Sequence, residues 1–102
     1  MKGKRLSIDG LSLFYARNDI GIFRVGISVS KRLGNAVKRN RLRRRIRDCI
    51  GTALRDQTAG YDLVFVARQE LVAKDYEQIC QAVDKALLKS ALHKQKPERA
   101  QP

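Results

Sequence analysis

Between Lys31 and Arg47 the chain reads Lys-Arg-Leu-Gly-Asn-Ala-Val-Lys-Arg-Asn-Arg-Leu-Arg-Arg-Arg-Ile-Arg, and nine of these 17 residues are lysine or arginine. No acidic residue occurs from Ile20 through Arg47, so nothing nearby in sequence neutralises them. Arginine outnumbers lysine here. Its planar fork bridges two phosphate oxygens or stacks on a base, whereas lysine is a mobile point charge. Asn40 adds a neutral donor and acceptor able to read a sugar or a base edge. Phosphates, 2′-hydroxyls and unstacked bases occur together in structured RNA. Salt-sensitive RNA binding is the chemistry this stretch suits. Charge spread only for solubility does not cluster in this way, and a merely solvated face usually mixes signs.

Other chemistries find less support. The only cysteines are Cys49 and Cys80, their spacing fits no zinc motif, and His93 is the single histidine. A nuclease acting alone needs paired carboxylates, an acid–base histidine or a metal site. The arginine-rich stretch has no carboxylate before Asp48. No metal site and no protein catalytic residue are expected. A DNA-binding helix-turn-helix would need a second short helix beside the basic one, and residues 31–47 lack it. There is no signal-peptide pattern and no run able to span a bilayer. The expectation is a cytoplasmic protein with reduced thiols, each a small buried hydrophobe.

The elements that position these cations follow from periodicity. Asn35 is a helix N-cap, and the helix runs from about Ala36 to Arg55. Leu42, Ile46, Cys49, Ile50 and Ala53 recur at helical spacing and define a buried stripe. Arg39, Arg43 and Arg47 lie four apart on one flank, and Lys38, Arg41, Arg44 and Arg45 widen the positive surface. Residues 11–17 and 23–30 alternate as strands, separated by Asn18-Asp19-Ile20-Gly21, and predict an antiparallel hairpin. Residues 4–8 add to its edge. The hairpin's second face carries Ser12, Phe14 and Ala16 beside Gly26, Ser28 and Ser30. Small residues around one aromatic leave either a shallow surface where a base stacks on Phe14, or a place for a helix to pack. Residues 62–67 form a continuous apolar run that predicts an interior strand covered on both faces. Strand, long helix and strand suggest a crossover between parallel strands. Asp75, with Gln78 as reciprocal partner, caps a last helix whose stripe is Tyr76, Ile79, Cys80, Val83 and Leu87.

The whole chain has 102 residues and a formal net charge of +12, which fits a single domain attracted to polyanions. That domain is expected over residues 1–93. From Lys94 the chain turns polar, with Pro97 and Pro102, and 94–102 reads as a flexible basic tail.

Phe23–Asp48, above all Arg24-Val-Gly-Ile-Ser-Val-Ser-Lys and Gly34-Asn-Ala-Val-Lys-Arg-Asn-Arg, closely resembles the protein subunit of bacterial ribonuclease P. Gly60-Tyr-Asp-Leu-Val-Phe-Val-Ala-Arg68 and the final helix resemble that family's later elements in the same order. The resemblance implies an α+β fold, a small α/β sandwich whose central mixed sheet has a left-handed β-α-β crossover. It implies an endoribonuclease that removes the 5′ leader of precursor tRNA. The RNA subunit performs the chemistry with Mg2+, and the protein itself binds no cofactor. By position, Arg39, Asn40, Arg41, Arg43, Arg44 and Arg47 would contact the catalytic RNA, with Lys31 and Arg32 in the basic loop before them and Lys38 beside them. Phe14 falls at an aromatic position of the leader cleft, Ser12 and Ser28 flank it, and His93 falls where relatives carry an aromatic. Family members begin with an extra helix that walls the cleft. This chain starts near Lys2-Gly3-Lys4, where that helix would have ended, through a late start or a truncation. Exposed apolar sheet surface and a weaker leader grip are therefore expected. The rival with the same charge is a basic RNA-binding module of another kind, such as a ribosomal protein.

Overall fold

The alternating segments do form strands, but the two expected to pair do not touch as neighbours. The computed structural model describes residues 3–90. In it β1 (Lys4–Ile8), β2 (Leu11–Arg17), β3 (Phe23–Ser28) and β4 (Tyr61–Ala67) make one sheet in the order β1-β2-β4-β3. β4 lies between β2 and β3, antiparallel to the first and parallel to the second. The reason lies in the turn after β2. The Asn18 backbone N–H donates to the Gly60 carbonyl at 2.8 Å, and its side-chain Nδ2 donates to Asp62 Oδ1 at 2.8 Å. The chain is thereby held against the start of β4 and crosses over it instead of folding back. Only glycine fits at position 60, because an added Cβ would lie 2.7 Å from the Asn18 carbonyl oxygen.

The hairpin that exists joins β1 to β2, with Ile8 opposite Leu11. Its two-residue turn is Asp9 (φ 53°) and Gly10 (φ 86°). Two positive φ angles are what a tight hairpin turn demands, and Asp-Gly is a strong signal for it.

α1 (Ala36–Ala53) connects β3 to the parallel β4, the crossover that strand-helix-strand spacing suggested. Asn35 caps it, its side-chain oxygen accepting from the Lys38 N–H at 2.9 Å. A short α2 (Gln69–Val72), too brief to show periodicity, precedes α3 (Tyr76–Lys89). At the start of α3, Asp75 and Gln78 complete a reciprocal capping box.

Both long helices cover one face of the sheet. Leu42, Ile46 and Ile50 of α1 and Ile79, Val83 and Leu87 of α3 bury Leu11, Leu13, Leu63 and Phe65 beneath them. Ala82 and Ala86 of α3 are fully buried as well, whereas Tyr76 is exposed. The other sheet face is open. β4 is interior by hydrogen bonding but covered on one side only, since Val64 is 42% exposed.

The thiols also depart from expectation. Cys49 and Cys80 are joined in a disulfide, with their Cα atoms 5.0 Å apart. Each was expected to stay reduced on its own apolar stripe. The two stripes face each other where α1 packs on α3, which brings the sulfurs together across a separation of 31 residues. Among the described residues no helix is long and apolar enough to cross a membrane. His93 and the 94–102 tail lie outside the described residues.

Candidate nucleic-acid interface

The buried stripe of α1 fixes the helix's rotation, and with it the direction of every cation. Lys38, Arg41, Arg44 and Arg47 are exposed, while Arg39, Arg43 and Arg45 are half-buried. They do not form one face. Arg43 and Arg47 border a groove beside β3, over Val25, Ile27, Ile50 and Gly51. Lys38, Arg41 and Arg45 border a second groove with Leu33, Leu42 and Val72. Helical spacing puts Arg44 between the two flanks, facing outward. Positive charge thus occupies both flanks of the helix and the outward face between them, where the exposed Asp48 also lies.

Two of these residues are already engaged. Arg39 Nε donates to the Gly34 carbonyl at 3.1 Å, tying the helix to the loop before it. Arg43 Nη1 donates to Asn40 Oδ1 at 2.9 Å, which leaves the Asn40 amide nitrogen as the group offered outward. Among the described residues the ion pairs are Arg24–Asp62 and Lys85–Asp9, and neither draws on residues 31–47. Among the described residues no ion pair neutralises the cations of α1. Lys31 and Arg32 extend this surface on a 3₁₀ turn, Lys31–Leu33, whose Arg32 N–H donates to Ser30 Oγ at 3.1 Å.

The open sheet face presents two registered rows. One runs Arg5, Phe14, Val64, Gly26, and the other Ser7, Ser12, Val66, Ser28. Phe14 is 40% exposed, and with Val64 it makes the apolar sheet surface expected here. Ser28 is exposed as well. Ser12 is not available as a contact. It is fully buried, accepting from Arg68 Nε at 2.9 Å and sharing a hydrogen bond of 2.8 Å with Ser7 Oγ. Its role is to hold Arg68 across the open face. The Arg5 guanidinium sits 5.8 Å from the centre of the Phe14 ring, within cation–π range. Sequence reading missed both arginines. Strand alternation held the signal, since Arg5 pairs with Phe14 and Arg68 directly follows β4.

At the far end of this face Arg24 makes a forked contact with Asp62, at 2.7 and 2.8 Å. The hydrogen bonds from Arg24 and then Asn18 hold the Asp62 carboxyl down at about 2, from an ordinary 3.8. A depressed carboxyl stabilises the fold above its ordinary value, and that contribution is lost as pH falls through the folded one. Stability should therefore drop between 3.8 and about 2. Asp62→Asn should flatten that part of a plot of Tm against pH; an unchanged profile would contradict the pairing. No three His, Cys, Asp or Glu side chains converge as a metal site among the described residues.

Comparison with known proteins fits this geometry. Residues 1–91 match the family model described as Ribonuclease P. The chain belongs to the ribonuclease P protein family. It is 40% identical over 93 residues to the ribonuclease P protein component of Clostridium botulinum strain Loch Maree, covering 90% of this chain and 84% of that one. It is 33% identical over 91 residues to the component from Thermoanaerobacter sp. strain X514, covering 89% and 78%. The structure of the Staphylococcus aureus ribonuclease P protein superposes with a TM-score of 0.80 at 31% identity, covering 88% of this chain and 83% of that one. The Thermotoga maritima protein shares the fold, with a TM-score of 0.79 at 24% identity, covering 87% of this chain and 84% of that one. The α+β architecture implied by the family resemblance is thus observed, and an RNA partner accords with membership of a ribonuclease P family.

Proposed function

We propose that this chain is the protein subunit of ribonuclease P, docking on the catalytic RNA through α1 and holding the 5′ leader of precursor tRNA on its open sheet face. The observation that carries this is the positive charge on both flanks of α1, which no ion pair among the described residues neutralises. Like charges at this density weaken the helix in isolation, and a polyanion removes that cost. Lys31, Arg32, Lys38, Arg39, Asn40, Arg41, Arg43, Arg44 and Arg47 face the catalytic RNA in this reading. Phe14, Ser28 and the arginines Arg5 and Arg68 face the leader, with Ser12 behind them. A single-stranded leader fits a shallow surface of one aromatic ring flanked by guanidinium groups, since stacking on such a platform is tolerant of sequence.

Bond cleavage falls to the RNA subunit and the magnesium ions that it holds. The chain's part is electrostatic and positional, lowering repulsion between two polyanions and fixing the leader beside the cleavage site. In this reading the protein acts in the cytoplasm.

The test is to bind precursor and mature tRNA to the complex of this chain with a bacterial ribonuclease P RNA. The precursor should bind more tightly, and Phe14→Ala should remove about tenfold of that preference, the value of one stacked base. Equal affinity for precursor and mature tRNA would contradict the leader role.

A further inference from the structure

Gly51 is a residue that the protein itself gives no reason to keep. It lies inside α1, three positions before Leu54 takes over as the C-cap, and glycine is the poorest helix former after proline. A Cβ added there would meet nothing within 4 Å. Its φ is not among the positive ones, which belong to Asp9, Gly10, Gly21 and Gly34. Neither packing nor backbone conformation demands glycine, so what it spares is space outside the protein.

That space is the groove beside β3. Its floor is Val25, Ile27, Ile50 and Gly51, and its walls are Arg43 and Arg47, around a cavity of about 370 Å3. Val25 points to the helix side of the sheet, in register with the buried Leu63, yet is 43% exposed because nothing among the described residues covers it. Arg43 is held by its bond to Asn40, so one wall is already ordered. An apolar floor between two guanidinium groups asks for a ligand with a flat apolar part joined to an anion. A nucleotide has that composition. A paired duplex keeps its bases inside, whereas folded RNA offers bulged ones.

We propose that this groove is a slot for one unstacked nucleotide of the folded RNA on which α1 docks, its base on Val25 and Ile27 and its phosphate between Arg43 and Arg47. The slot rests on the reading of α1 as an RNA-docking helix. Gly51 is the positioning residue that keeps it open.

The experiment uses the full chain and two RNA hairpins of equal length, one with a single bulged nucleotide and one fully paired. The bulged hairpin should bind about tenfold more tightly, what burying about 60 Å2 of apolar surface is worth. Gly51→Leu should abolish that preference and leave binding of the paired hairpin unchanged. Gly51→Ala should raise Tm by several degrees through better helix propensity and still weaken the preference. A stability gain coupled to a binding loss is what a purely structural glycine would not show. No preference in the natural chain, or a preference retained in Gly51→Leu, would overturn the slot. Stimulation of precursor cleavage is a separate readout. Its absence would count against the subunit reading, whether or not the bulge preference is seen.

Discussion

Replacing Arg41, Arg44 and Arg47 together by alanine should weaken binding to a ribonuclease P RNA by about a hundredfold to a thousandfold at moderate salt. All three are exposed, and none has a side-chain hydrogen bond or ion pair among the described residues, so removing their side chains costs the fold nothing that the structure shows. The plot of log affinity against log salt should flatten by about two to three, since each lost phosphate contact returns a little under one released counterion. Tm should hold or rise, because the substitutions relieve repulsion along α1. Arg39→Ala should differ, for it also gives up the bond to the Gly34 carbonyl that ties the loop to the helix. Loss of binding accompanied by unfolding in the triple variant would mean that the cations serve the fold rather than the RNA.

Phe65→Ala should cost about 3–5 kcal/mol, the largest loss expected from a single side chain here. Phe65 is fully buried in the central strand, with Leu13 and Ile27 beside it in the same row and both long helices on that face of the sheet. A domain of this size has about 5–15 kcal/mol to lose, so the variant should sit near the edge of folding. Urea denaturation would show it as a fall in midpoint. A cost under about 1 kcal/mol would contradict the two-layer packing.

The parts legible in the sequence were those set by local physics. The α1 stripe of Leu42, Ile46, Cys49, Ile50 and Ala53 is the observed buried set, and the caps at Asn35 and Asp75 bond as their residue types require. The parts that were not legible depend on contacts between distant segments. Alternation marks a strand but does not name its neighbour, so β2 and β3 looked like a hairpin until Asn18, reaching to Gly60 and Asp62, put β4 between them. The same ignorance of neighbours hid the disulfide. Two stripes were visible, but not that they meet at Cys49 and Cys80.

The candidate site divides along the same line. Charge on α1 was plain, because helical spacing alone decides which cations escape the core. Its arrangement on two flanks was not, because the grooves are defined by β3 on one side and by Leu33 and Val72 on the other. On the open face, Phe14 and Ser28 were placed correctly by alternation. Ser12 shared their phase and was assigned the same role, but Arg68, 56 residues away, covers it. The family resemblance contributed what no pattern shows, namely the RNA proposed as the partner of the helix.

The most direct measurement is cleavage of precursor tRNA by a bacterial ribonuclease P RNA at low magnesium, with and without this chain. Cleavage at the mature 5′ end that appears only with the protein, and falls with Arg39→Ala and Arg41→Ala, is the predicted result. Salt-sensitive RNA binding with no stimulation of cleavage would contradict the account and leave a general RNA-binding protein.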